Sequence, residues 1–195
     1  MQLRCRSVLL FILTCFIQQQ ANASQPIEVS VTSDDVSGLD LIQAQTAFDN
    51  YGASVRRILF AITNYAELHP WIVSSTPVGS GGQDGMEFLI EFKFPWPVRH
   101  RWSHIVVQRD GDNAISWHQI EGNMQHNEGH LRFSSSRNQS TEVSMSAIIG
   151  IGLPEILCRE FKKQFVKEFI KAAYDQAVTS THAELALPSS PITTK

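Results

Sequence analysis

Cysteine is scarce in this sequence: Cys5 and Cys15 stand near the amino terminus, and Cys158 is alone in the body of the chain. A lone thiol closes no intramolecular disulfide, so the fold must be held by its apolar core. Long hydrophobic runs are scarcer still. The longest covers residues 8–17, too short and too poorly flanked for a membrane-spanning helix. Basic charge is in deficit, with a formal net charge of −3, which argues against a nucleic-acid partner and its usual basic patch. A glycine-rich phosphate loop, a nucleophile elbow and a paired-carboxylate motif are missing too. What is present is an ordinary globular composition, 43% hydrophobic and 18% charged over 195 residues, which suits one domain with one substantial core.

The first residues read as a targeting segment. Arg4 and Arg6 precede the apolar run, and Ala21-Asn22-Ala23 sets small residues where a signal peptidase cleaves. Residues 1–23 are therefore expected to be a signal peptide, leaving a periplasmic or secreted chain that starts at Ser24. Losing two arginines takes its charge from −3 to −5. A retained anchor is the alternative; lipidation of Cys15 is disfavoured, because Leu13-Thr14 lacks the small residue that usually precedes a lipidated cysteine.

Beyond the leader, Ile27, Val29 and Val31 alternate with polar residues as a half-buried strand does, and residues 39–48 extend again. Asn50 or Ser54 is placed to cap a short helix carrying Val55, Ile58, Leu59 and Ile62, and a second helical turn ends at Pro70. Strand signals then dominate. Met86, Phe88, Ile90, Phe92 and Phe94 give the cleanest two-residue period in the chain. Pro95-Trp96-Pro97 stops that strand, since proline cannot donate to a ladder. Residues 101–109, 114–121, 128–135 and 141–149 read as further strands, with 122–127 as a polar loop; the last strand lines up Val143, Met145, Ala147 and Ile149.

Gly150, Gly152 and Pro154 then introduce a helix over residues 154–178, because proline fits a first helical turn. Leu157, Phe161, Phe165, Phe169, Ala173 and Ala177 recur every four positions, and Cys158, Val166 and Ile170 widen the stripe. Glu155, Arg159, Lys162, Lys163, Lys167 and Lys171 are assigned to the opposite, solvated face. At 1.5 Å per residue this helix is roughly 35 Å long and needs a large apolar partner, which a curved antiparallel sheet would supply. Residues 179–195 are polar and contain proline, and read as a disordered tail.

In this order of elements the chain resembles the START and Bet v 1-like superfamily, on its bacterial polyketide cyclase and coenzyme Q-binding side. The residues that carry the likeness are Asn64-Tyr65 leading to Trp71 at a helix end, the segment Phe94-Pro95-Trp96-Pro97-Val98-Arg99-His100-Arg101, and Gly150-Ile151-Gly152-Leu153-Pro154 ahead of the long helix. The likeness spans residues 27–178. It departs at Trp102, where many bacterial relatives carry an acidic residue after the arginine.

The resemblance implies an α+β helix-grip fold, a curved antiparallel sheet wrapped around a long C-terminal helix, with two short helices after the first long strand. It further implies an apolar cavity for a hydrophobic small molecule such as a lipid, sterol or isoprenoid quinone, held by a carrier or sensor. A polyketide cyclase or dehydratase-like enzyme is the alternative, and a protein-interaction module a third. The expected lining combines Phe88, Ile90, Phe92 and Phe94, Met145 and Ile149, the helix residues Phe161, Phe165 and Phe169, and Trp71, Trp96, Trp102 and Trp117; Arg101 and His104 are its polar candidates. Each apolar residue could equally be core fill. No catalytic residue, cofactor or metal is assigned. His100 and His104, like His126 and His130, are four apart on strand or loop, where that spacing does not converge ligands. The basic helix face is an open second contact, with a membrane surface.

Overall fold

Period-two alternation builds eight strands: β1 (Glu28–Ser33), β2 (Asp40–Phe48), β3 (Ile72–Ser80), β4 (Gly85–Lys93), β5 (His100–Asp110), β6 (Ala114–Gly122), β7 (His126–Ser135) and β8 (Thr141–Gly150). Between β2 and β3 lie α1 (Gly52–Phe60), a 3-10 turn (Ile62–Asn64) and α2 (Tyr65–Leu68), and α3 (Glu155–Ala186) follows β8. This computed structural model describes residues 26–34, 37–80, 85–96, 98–135 and 140–186. The expected signal peptide and residues 81–84, 136–139 and 187–195 lie outside them.

All eight strands form one antiparallel sheet in the order β1-β2-β8-β7-β6-β5-β4-β3, a meander from β3 to β8 that returns to the β1–β2 hairpin. The sheet curves around α3, which is the helix-grip arrangement. Its inner face carries Ile42, Phe48, Phe88, Ile90, Phe92, Val143 and Ala147, all buried. From the helix, Cys158, Val166, Phe169, Ile170, Ala173 and Ala177 are buried against them. Each large aliphatic or aromatic side chain buried here contributes about 1.5–3 kcal/mol.

Four expectations need correction. Tyr51, not Asn50 or Ser54, occupies the N-cap of α1, and it makes no capping bond. Tight packing sets the start of that helix instead: a Cβ on Gly52 would lie 1.9 Å from Oγ1 of Thr141. Strand β7 begins at His126, inside the expected polar loop, so Asn127 is a buried strand residue. Helix α3 continues past Val178 to Ala186. There Thr179 and Thr181 each donate a 2.9 Å bond to a carbonyl one turn back, and the His182 ring meets Tyr51 at 6.4 Å. Lastly, Lys162 is not on the solvated face; it is 2% exposed.

Candidate ligand cavity

Between the inner face of the sheet and α3, the side chains leave a cavity of about 100 Å³. Most of its wall is hydrocarbon, because the strands present every second residue inward and those residues are mainly Ile, Leu, Val and Phe. Of the residues expected from sequence, Ile90, Phe92, Phe94, Trp117, Met145, Ile149, Phe161, Phe165 and Phe169 line it. Phe88 packs in the adjoining core, and Trp71 stands one layer back, stacked on Phe161 with centroids 4.4 Å apart and planes 4° from parallel.

The other four do not line the cavity. Trp96 projects from the β4–β5 loop and is 80% exposed. Trp102 and His104 fall on the outer face, because the inward residues of β5 are those in step with Ile105 and Val107, which line the wall. His104 Nε2 lies 3.0 Å from Oε2 of Glu87 there. Arg101 keeps the inner parity but is occupied as a brace: its Nε donates to the carbonyl of Ile151 at 3.1 Å, tying β5 to the approach of α3.

The structure also places at the wall three polar residues that were not among the candidates, Asn127, Lys162 and Tyr65. Asn127 donates from Nδ2 to Ser103 Oγ at 3.1 Å and accepts the indole N–H of Trp117 at 3.0 Å. Ser103 in turn donates to Gln119 Oε1 at 2.8 Å, and Gln119 donates to the carbonyl of Met124 at 3.0 Å. A register shift between His104 and Ile105 brings these strands into this alignment. Such a chain satisfies groups that would otherwise be costly to bury. The signal for Asn127 was parity: it sits two residues before Gly129 and in step with Leu131 and Phe133.

Lys162 is the second. Its Nζ lies 3.6 Å from Oδ2 of the wholly buried Asp40, whose Oδ1 accepts from Arg159 Nε at 3.0 Å. Arg159 also donates to Ser33 Oγ at 2.8 Å. The sequence signal was the series Cys158, Lys162, Val166, Ile170, in which lysine takes a turn of the buried stripe. Tyr65 completes the polar inventory of the wall; its hydroxyl donates to the carbonyl of Leu59 at 2.6 Å, and burial raises its pKa.

Beside the cavity, His69 is packed among aromatic rings, with Phe165 at 4.5 Å and Trp71 at 5.0 Å between centroids. The backbone N–H of Trp71 donates to Nδ1 at 3.2 Å, which leaves Nε2 to carry the proton toward Glu168, 3.3 Å away. Burial lowers the pKa of this imidazole, and Glu168 partly opposes that shift. The unfolded chain therefore takes up this proton more readily than the folded one. Stability from a neutral His69 is present above the ordinary histidine value near 6.5 and is lost as pH falls through the lower, folded value. Thermal melts from pH 7.5 to 5 should show a smaller acid-induced drop for His69→Gln than for the wild type. Parallel curves would mean that other groups govern the acid limb.

Among the described residues no group of three or more His, Cys, Asp or Glu is placed to hold a metal ion. No family model and no curated protein matches the sequence. Solved structures match the fold. A STAR-related lipid transfer protein from Xanthomonas axonopodis aligns with a TM-score of 0.63 over 80% of this chain and 96% of its own, at 14% identity. The Zhui aromatase/cyclase from a Streptomyces species aligns at 0.60 over 75% and 98%, also at 14% identity. This chain has the START helix-grip fold. Human STARD10 shows how far that fold reaches, with a TM-score of 0.61 at 10% identity over 88% of this chain and 82% of its own. At such identities the START likeness concerns architecture, and what the cavity does must be argued from the cavity.

Proposed function

We propose that this START-fold protein is an exported carrier or sensor that takes a hydrophobic small molecule into the space between sheet and α3. The observation that carries the reading is an apolar cavity bounded in part by rings that also reach the surface: Phe161 and Phe165 line it, both are partly exposed, and Trp71 stacks on Phe161. At about 100 Å³ the space is well short of the roughly 300–1,000 Å³ of ligand pockets. A lipid tail therefore requires these rings to swing aside, which makes them the gate. Each methylene that enters contributes about 0.8 kcal/mol.

The enzyme reading draws less support. It needs an acid or base at the wall with a pKa suited to proton transfer, and Arg101 and His104, the candidates for that role, are respectively a brace and an outer-face residue. Native mass spectrometry of residues 24–195, purified from the exported fraction and then supplemented with candidate lipids, tests the carrier. A stoichiometric hydrophobic adduct is expected. A chain that stays bare with every lipid class added would overturn the reading.

A carrier must also meet the surface that holds its cargo. On α3, Lys163 pairs with Glu160 and Lys171 with Asp175, which weakens the case for the basic helix face as the contact. The β4–β5 loop fits better. Its Trp96 is 80% exposed beside exposed Arg99 and His100, and the neighbouring Phe94 lines the cavity. Indole beside positive charge suits a membrane interface. Trp96→Ala should weaken binding to anionic phospholipid vesicles several-fold in a flotation assay, with thermal stability unchanged; undiminished flotation would rule the loop out.

A further inference from the structure

The structure assigns an oxyanion site to the surface groove between α1 and the β5–β6 turn, one that takes the phosphoryl group of a soluble phosphate monoester. The groove is separate from the cavity although the two share a helix: α1 gives Leu59 to the cavity wall and Arg56, Arg57 and Phe60 to the groove. Arg109 and Asp112 form the other bank, and the space between is about 730 Å³. Three guanidiniums thus meet at one groove in a chain whose formal net charge is −3. What holds them is uncharged. Arg56 donates from Nη1 to Asn113 Oδ1 at 2.7 Å, and the Arg109 guanidinium lies over the Phe60 ring, 5.8 Å from its centroid. Phe60 is itself fixed, edge to face with Phe133 at 5.4 Å. Among the described residues none of the three arginines forms an ion pair, whereas Arg159 on α3 is paired with Asp40.

A guanidinium stacked on an aromatic face keeps its edge N–H donors for an oxyanion, and two of these three are held in place before any ligand arrives. Charge then narrows the ligand. Asp112 is the carboxylate on the lining, so three positive charges against one negative leave two. A phosphate monoester carries about −1.5 to −2 at pH 7 and matches that balance, whereas a carboxylate brings one charge only. Position selects a soluble source over a lipid headgroup, and this step rests on the Trp96 membrane contact proposed above. Strand β5 runs from His100, beside the Trp96 loop, to Asp110, beside Arg109, which is about 34 Å at roughly 3.4 Å per residue. A bilayer met by Trp96 does not reach the groove.

The test is calorimetric titration of the purified protein at pH 7.5 and low salt with glycerol 3-phosphate and, at matched ionic strength, with acetate. Glycerol 3-phosphate should bind saturably and about tenfold or more tightly than acetate, the range set by a hydrogen bond to a charged group. Arg57→Gln and Arg109→Gln should each weaken that binding about tenfold, and Lys163→Gln on α3 should leave it unchanged. The Arg57 side chain is exposed and makes no hydrogen bond or ion pair among the described residues, so its variant should melt with the wild type. No saturable binding of glycerol 3-phosphate, equal affinity for the two anions, or binding that survives both arginine substitutions would each overturn the site. Flotation with vesicles containing phosphatidic acid separates the two sources. Arg57→Gln should float as the wild type does; if it fails to float while Trp96→Ala floats normally, the phosphoryl group belongs to a membrane and the soluble assignment is overturned.

Discussion

Asp40→Ala should destabilise the protein by about 3–5 kcal/mol in urea-induced unfolding. The reason is the charge left behind rather than the volume removed. Asp40 is wholly buried at the start of β2, and Lys162, 2% exposed, lies 3.6 Å from it, while Arg159 donates to it from the partly exposed side. Removing the carboxylate leaves an ammonium in a hydrocarbon wall with a principal counter-charge gone. Removing both partners at once is a different matter, since an apolar pair of similar size avoids the desolvation of either ion. Asp40→Leu combined with Lys162→Met should therefore recover most of the loss, giving a coupling well outside the few tenths of a kcal/mol seen for independent sites. Additive single effects would show that the two side chains do not depend on each other, and would remove the electrostatic account of this end of the cavity.

The same pair shows where the sequence could be read and where it could not. Alternation from Met86 to Phe94 and the four-residue stripe from Phe161 to Ala177 predict strand, helix and the faces that meet, because burial of every second or every fourth residue is a local geometric rule. The wall residues contributed by those two rows follow directly. Lys162 breaks the rule of composition while obeying the rule of spacing. Assigned by its charge, it belongs outside; assigned by its place between Cys158 and Val166, it belongs inside, and the structure follows spacing because Asp40 waits on a strand more than a hundred residues earlier. No local pattern reveals a partner at that separation. Asn127 was obscured in the same way. It looked like loop in a polar run, and its burial depends on Ser103 and Trp117 from two other strands. Conversely, Trp96 and Trp102 were nominated for the cavity as large apolar residues, but a loop tip and an outward parity decide where they stand.

Phe165→Ala tests the gate, and its effects on stability and on binding should separate from those of a surface change two residues away. The Phe165 ring stands 4.5 Å from His69, 5.9 Å from Trp71 and 6.2 Å from Phe169 between centroids, and it lines the cavity. Truncation should cost about 3–5 kcal/mol, the usual range for a packed phenylalanine, although its partial exposure favours the lower half. It also opens the space the ring had closed. Ligand release should then accelerate, because the lost ring both contacted the guest and blocked its exit. Phe169→Ala, which removes a wall residue packed 4.8 Å from Tyr65, should weaken retention through lost contact. Lys163→Ala provides the comparison: its ion pair with Glu160 is at the surface, where such pairs are worth roughly 0–1 kcal/mol, and it lines no part of the cavity. Dissociation measured by transfer of a co-purified or added fluorescent acyl probe to acceptor vesicles should be fastest for Phe165→Ala, intermediate for Phe169→Ala and unchanged for Lys163→Ala. If all three release the probe at the wild-type rate while the phenylalanine variants remain folded, the guest does not sit between the sheet and this helix, and the rings of α3 are core and nothing more.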